Sequence, residues 1–146
     1  NDSIYKAAAE LAKRTEKRRA IIVLSDGEDT FSGKSAAKAL KAAQDADASI
    51  YTVDMSAISN SGSKRVQNQA ALKNFAEKTG GKFISTPGGA ALRQAFKSIV
   101  EELGVQYTLG YEPSNLKKDG KWRAIELTVS RPNLTIRTRK GYNANK

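Results

Sequence analysis

Acidic side chains cluster directly after a run of apolar residues near the start of the chain. Ser25, Asp26, Gly27, Glu28 and Asp29 follow the unbroken apolar stretch 20–24. Carboxylates this close together repel one another unless a cation or a set of hydrogen-bond donors holds them. A hard cation such as Mg²⁺ accepts oxygen ligands of this kind, usually from only one or two carboxylates. The stretch therefore indicates either a divalent-cation site or a simple β-turn after a core strand, because Asp-Gly is a common turn pair.

The elements that must position these acids alternate between strands and helices. The β-branched run 20–24 predicts a parallel strand covered on both faces. Two further strands are predicted, the second of them short, over residues 48–54 and 82–85. Apolar residues at helical spacing predict the helices, which cover residues 4–12, 35–45, 66–78 and 91–103. Open sheets of this kind bind ligands at the carboxyl ends of their strands, which is where Asp26 falls.

The C-terminal part of the chain has a different pattern. Apolar and polar residues alternate over 105–111, 122–129 and 134–139, and Asp119-Gly120 is a turn signal. We therefore predict an α/β protein in two parts. Residues 1–104 form a parallel α/β unit, and residues 105–146 form an antiparallel β-meander packed on it.

Composition excludes several functional classes. The chain of 146 residues has no Cys and no His, which excludes disulfides, thiolate or imidazole zinc sites and His-based catalysis. Lys and Arg outnumber Asp and Glu by 25 to 15, a net charge of +10 that favours acidic partners or a solvated basic surface. No apolar run approaches the length of a membrane span, and no signal peptide is visible.

The segment 21–29, Ile-Ile-Val-Leu-Ser-Asp-Gly-Glu-Asp, resembles the fourth-strand segment of von Willebrand factor type A domains. Residues 2–7 resemble the start of the helix that follows the family's second metal loop, and residues 79–83 resemble the entry to its sixth strand. Residues 102–113, 119–123 and 139–142 are similar to the tail of a bacterial subgroup, the acidobacterial-type von Willebrand A-related proteins. This resemblance implies that residues 1–104 are the second half of a type A domain, that is, half of a doubly wound, parallel, Rossmann-like sheet. Residues 105–146 would be an extension, in a secreted or periplasmic protein.

The resemblance also implies a function and a set of site residues. It implies a non-enzymatic adhesion module in which a Mg²⁺ or other divalent ion takes a carboxylate from a protein partner. Asp26 matches the family's metal-site acid, while Asp2 and Ser3 stand nearest to an expected Thr. Glu28, Asp29 and the polar loop that begins at Ser56 would shape the rim, with Ser25 and Gly27. The family's Asp-x-Ser-x-Ser motif is absent, so metal binding by this chain alone is expected to be weak or lost.

The pairing of the first strand leads to a separate hypothesis. A fully apolar parallel strand requires neighbours on both sides, yet right-handed crossovers place the next two strands on one side only. An exposed apolar edge is an aggregation template. We therefore hypothesise that an N-terminal fragment, a domain-swapped copy or the chain's own meander completes the sheet.

Two other functions stay open from the residues. The stretch from Gly27 to Ser35 resembles a phosphate-binding loop, although its spacing departs from the motif, and Asp26 could act as a Mg²⁺-assisted acid in an enzyme. Basic residues also lie near aromatic ones in the C-terminal part, a combination that can hold single-stranded nucleic acid. These residues are Lys121, Arg123, Arg137 and Arg139, beside Tyr107, Tyr111 and Trp122.

Overall fold

The computed structural model describes residues 1–56 and 63–144. Three parallel strands form one sheet: β1 at Arg19–Ser25, β2 at Ala48–Asp54 and β3 at Phe83–Ser85, in that spatial order. The helices that alternate with them are α1 at Asp2–Ala12, α2 at Ala36–Asp45, α3 at Ser63–Thr79 and α4 at Gly89–Gly104. A second, antiparallel sheet pairs β4 at Trp122–Ala124 with β5 at Gly141–Asn143. The predicted α/β class is confirmed.

The core lies on the two faces of the parallel sheet. On one face, Ile21 of β1 and Ile50 of β2 are buried under small residues of α1 and α2 and under Phe75 of α3. Ala8, Ala39 and Ala43 are fully buried there, because alanine lets helices approach closely. On the other face, Tyr51 and Val53 of β2 pack against the apolar side of α4. The side chains of β2 therefore point alternately to the two faces of the sheet and pack in both parts of the core.

The prediction that β1 is covered on both faces is wrong. Ile22 is 36% exposed and Leu24 is 44% exposed, although Ile21 between them is buried. The reason is that β1 is an edge strand, and among its described residues only Ala20 packs against the core cluster that β2 and α4 form on that face. No described residue pairs with the outer edge of β1.

The predicted three-stranded meander is reduced to one short pair of strands. Residues 105–111 and 134–139 lie in no strand, and the middle strand stops at Ala124. The apolar side chains of these segments do not pack against a core and stay exposed, and Tyr107 is 89% exposed. The strand that does pair with β4 is β5, which begins only at Gly141.

Side chains, rather than a ladder of strands, hold residues 137–139 against the α/β unit. Arg137 makes an ion pair with Glu102 near the end of α4, and Arg139 makes one with Asp47 just before β2. Gly80, with a φ of +79°, lies so close that a Cβ there would stand 2.6 Å from the Arg139 amide nitrogen. The chain therefore crosses the amino ends of the parallel strands at this point.

Candidate functional site

The three parallel strands end in one row of polar residues. Ser25 of β1 is in register with Asp54 of β2, and Asp54 is in register with Ser85 of β3. Each strand is followed immediately by a loop, so the row lies at the carboxyl edge where open α/β sheets place their ligand sites. This edge is the candidate site.

Asp54 is the buried centre of the row. Its side chain is 0% exposed and accepts hydrogen bonds from the Ser56 amide at 2.9 Å, from Gln69 Nε2 at 2.7 Å and from Ser85 Oγ at 2.9 Å. Burial alone would raise the pKa of this carboxyl, but the hydrogen bonds outweigh burial and hold the pKa below its ordinary value. Asp54 is therefore a charged group that fastens α3 and β3 to the end of β2.

Asp26 lies in a tight turn just outside β1. Its Oδ1 accepts the Glu28 amide at 3.1 Å, and Ser25 Oγ accepts the Gly27 amide at 2.9 Å. Gly27 has a φ of +83°, and a Cβ there would stand 2.6 Å from the Asn68 carbonyl oxygen. Glycine is required at this position both by the left-handed backbone and by the close approach of α3. The turn therefore presents the Asp26 carboxylate from a rigid support.

Asp2 is held by the loop that follows the acidic turn. Its two oxygens accept the amides of Gly33 at 3.1 Å and Lys34 at 2.7 Å, and these bonds lower the pKa of Asp2. Asp29 also faces the start of α1, since it accepts a hydrogen bond from the Asn1 side-chain amide. One carboxylate from α1, that of Asp2, and one from the β1–α2 loop, that of Asp29, thus connect these two elements.

The other predicted site residues fall into different surroundings. Ser25, Asp26, Gly27 and Glu28 form the single turn described above, and Glu28 is exposed. Ser3 is exposed and lines a groove beside Ile22 and Leu24. Ser56 is 1% exposed and lies against Asp54 rather than on an exposed rim. The rest of its loop, residues 57–62, lies outside the described residues.

The groove beside β1 follows the open edge of the sheet. It has a volume of about 280 Å³ and is lined by Ser3, Ile4 and Ala7 of α1 together with residues 21–24 of β1. Its walls are mostly apolar, and its floor is the outer edge of a strand. The groove therefore offers backbone hydrogen bonds and apolar contacts rather than catalytic groups.

Sequence reasoning missed the network around Asp54. Asp54 ends a strand, as many acids do, and Gln69 and Ser85 lie in separate elements of the sequence. The one available signal was the repetition of a polar residue at the end of each parallel strand. That pattern predicts a polar edge but not which residues bond to one another.

The oxygen atoms at the Asp26 turn meet the needs of a divalent cation only in part. Asp26 Oδ1 is occupied by an amide, and no described residue donates to its Oδ2. The nearest side chains in the sequence that carry oxygen are those of Ser25 and Glu28, and water would have to supply most of the remaining ligands. In the described part of the chain, no group of three or more acids is arranged to hold a metal ion. These residues therefore suit a weak, water-rich site.

Several of the groups that could bind phosphate or nucleic acid already contact other residues of the chain. The Gly33 and Lys34 amides bond to Asp2, and the Lys34 ammonium lies 5.4 Å from the centre of the Tyr5 ring. Three of the four basic side chains predicted to face nucleic acid pair with acids, namely Arg123 with Asp119, Arg137 with Glu102 and Arg139 with Asp47, whereas Lys121 has no such pair among the described residues. An anion would have to displace these contacts in order to bind there.

Comparisons with known proteins do not assign the chain to a family. No family model, no curated protein and no solved structure matches it. Within the described residues, none of the helices combines the length and the apolar character needed to cross a bilayer.

Proposed function

We propose that the chain is a non-enzymatic protein-binding module of von Willebrand A type, in which Asp26 is the retained acid of a partial divalent-cation site. The turn after β1 is the observation that carries this proposal. Asp26 stands at the carboxyl end of a parallel strand, its Oδ1 is fixed by the Glu28 amide, and its Oδ2 receives no donor from the described residues. An oxygen held in this way can ligate Mg²⁺ directly or through water.

The partner of such a site would present a carboxylate. Because no group of three or more acids among the described residues is arranged to hold a metal ion, the shell of a cation at Asp26 would be left for water and for an acidic side chain from outside to complete. Glu28 and Asp29 border the turn and would discourage a carboxylate from approaching without the cation, because like charges repel. The resemblance to exported bacterial proteins supports a secreted or periplasmic location for this binding.

The same proposal assigns a structural role to the C-terminal part. Residues 105–146 would form an extension carried by the α/β unit 1–104, and the ion pairs of Arg137 and Arg139 support this arrangement. The open edge of β1 would be completed by an N-terminal fragment, by a second copy or by another chain.

Manganese titration followed by NMR tests the cation site. Paramagnetic Mn²⁺ should broaden the amide resonances of residues 25–29 first, and excess Mg²⁺ should reverse the effect, with a dissociation constant of about a millimolar or weaker. Asp26→Asn should abolish the selective broadening. Glu77→Gln, which removes an exposed carboxylate from α3, should leave it unchanged. Equal broadening near all exposed carboxylates would reject the site.

A further inference from the structure

We propose that the open edge of β1 pairs in antiparallel fashion with the same edge of a second copy of this chain. The two three-stranded sheets would then form one continuous six-stranded sheet about a two-fold axis that passes beside Ile22. This inference uses the backbone edge of β1 and, at its ends, the Asp26 carboxylate without a bound cation, so it does not rest on the proposed function.

The backbone of β1 is oriented for this pairing. The Ser25 carbonyl accepts the Met55 amide at 3.0 Å, so Ser25 directs its backbone groups toward the β2 side of the sheet. Backbone groups of successive residues in a strand point to opposite sides, so those of Ala20, Ile22 and Leu24 point to the open edge. No described residue takes these groups, whose unpaired row is a template for strand addition.

The side chains select the symmetric register. Ile22 is the central residue of the seven in β1, so a two-fold axis there overlays the whole strand on its copy. Ile22 then faces Ile22 of the second copy, and Leu24 faces Ala20 of the second copy. This arrangement places the exposed apolar side chains of both edges together and removes them from water. The groove between α1 and β1 leaves room beside the strand.

Charge complementarity favours the same register. Arg18 and Asp26 flank β1 at equal distances from Ile22 along the chain, so Arg18 of each copy falls opposite Asp26 of the other. Arg18 is exposed and forms no ion pair with any described residue. Two opposite-charge cross-strand pairs would therefore close the two ends of the interface.

The chain's own C-terminal part fits the edge less well. Gln106 and Leu103 border a cleft with Arg18 and Ala20, so residues 105–111 begin close to the start of β1. That segment has no charged residue to match Arg18 or Asp26. Its last residue, Tyr111, packs edge-to-face on Tyr142 of β5 with ring centres 6.3 Å apart, and this contact holds the segment at the second sheet.

Sedimentation equilibrium on the full chain in metal-free buffer tests the proposal, because a failed cation site cannot affect the result there. We expect a reversible dimer of twice 15.8 kDa. Ile22→Pro removes an amide that points to the open edge and not to β2, so it should leave the monomer folded. It should weaken dimerisation about tenfold or more, since two hydrogen bonds are lost by symmetry. Ile22→Val is the matched control and should remain dimeric.

A charge swap tests the register. Arg18→Asp should weaken the dimer about tenfold by placing like charges opposite one another, and the double variant Arg18→Asp with Asp26→Arg should restore it. A monomer at all concentrations would overturn the proposal, and so would a dimer that survives Ile22→Pro. A monomer whose Ala20, Ile22 and Leu24 amides resist hydrogen exchange would also overturn it, since a segment of the same chain would then cover the edge.

Discussion

Asp54 ends β2 and Asp26 follows the neighbouring strand β1, but their carboxylates differ in what they contact. Asp54 is buried and satisfied by three donors from its loop, from α3 and from β3. Asp26 is half-buried and accepts a single amide from its own turn. A buried charge that bonds to three elements contributes mainly to stability, whereas a carboxylate with an available oxygen is suited to binding.

Asp54→Asn should lower the free energy of unfolding at pH 7 by about 1–3 kcal/mol, because the amide group leaves at least one buried donor unpaired. The folded-state pKa of Asp54 lies below the ordinary value of 3.8. Its contribution is therefore complete above that value and is lost as the pH falls through the folded-state pKa. Urea unfolding at pH 7 and near pH 3 should show that the difference from the wild type shrinks in acid. An equal difference at both pH values would contradict this account, and Glu77→Gln serves as the surface control.

At the scale of elements, the sequence was sufficient for the parallel unit. The bounds of α2, α4, β1 and β2 were predicted to within a few residues. Their apolar residues follow helical spacing or unbroken runs because these elements do bury apolar side chains in the structure. Residues 105–111 and 134–139 show why the rest failed. Alternation indicates that one side of a segment is suited to burial, but a strand forms only where a partner is present. The turn at Asp26 is local and could be predicted, whereas the Asp54 network joins distant segments.

Glu102 connects two elements that the sequence did not link. It accepts hydrogen bonds from Tyr51 at 3.1 Å and from Arg137 Nε at 3.2 Å, and burial together with the Glu102 charge raises the pKa of Tyr51 to about 12. Glu102→Gln should release Arg137 and make trypsin cleave after Arg137 several-fold faster, with little change in the melting temperature, since partly exposed ion pairs contribute only about 0–1 kcal/mol.

Glu101→Gln is the matched control for that cleavage, because Glu101 has an exposed partner, Lys97, on the same helix. It should leave the cleavage rate unchanged. Equal rates in the wild type and in Glu102→Gln would show that the backbone contact at Gly80, and not the ion pair, holds this segment.

The whole molecule combines a well-packed α/β unit with a C-terminal part that exposes many apolar side chains. Strand β2 is paired on both sides and is buried at nearly every position. Residues 105–121 belong to no helix beyond the end of α4 and to no strand, and Val105, Tyr107 and Leu109 are mostly exposed. The two parts should therefore open independently, with different free energies.

Amide hydrogen exchange measures this difference directly. We expect the amides of β2 to exchange only through global unfolding and those of residues 105–111 to exchange within seconds, because only the former lie in a buried ladder. Ile22→Pro supplies the monomeric reference, in which Ala20 and Leu24 should also exchange fast while Ile21 and Val23, directed toward β2, stay protected. Protection of residues 105–111 equal to that of β2 would show that the alternating segments form strands in solution.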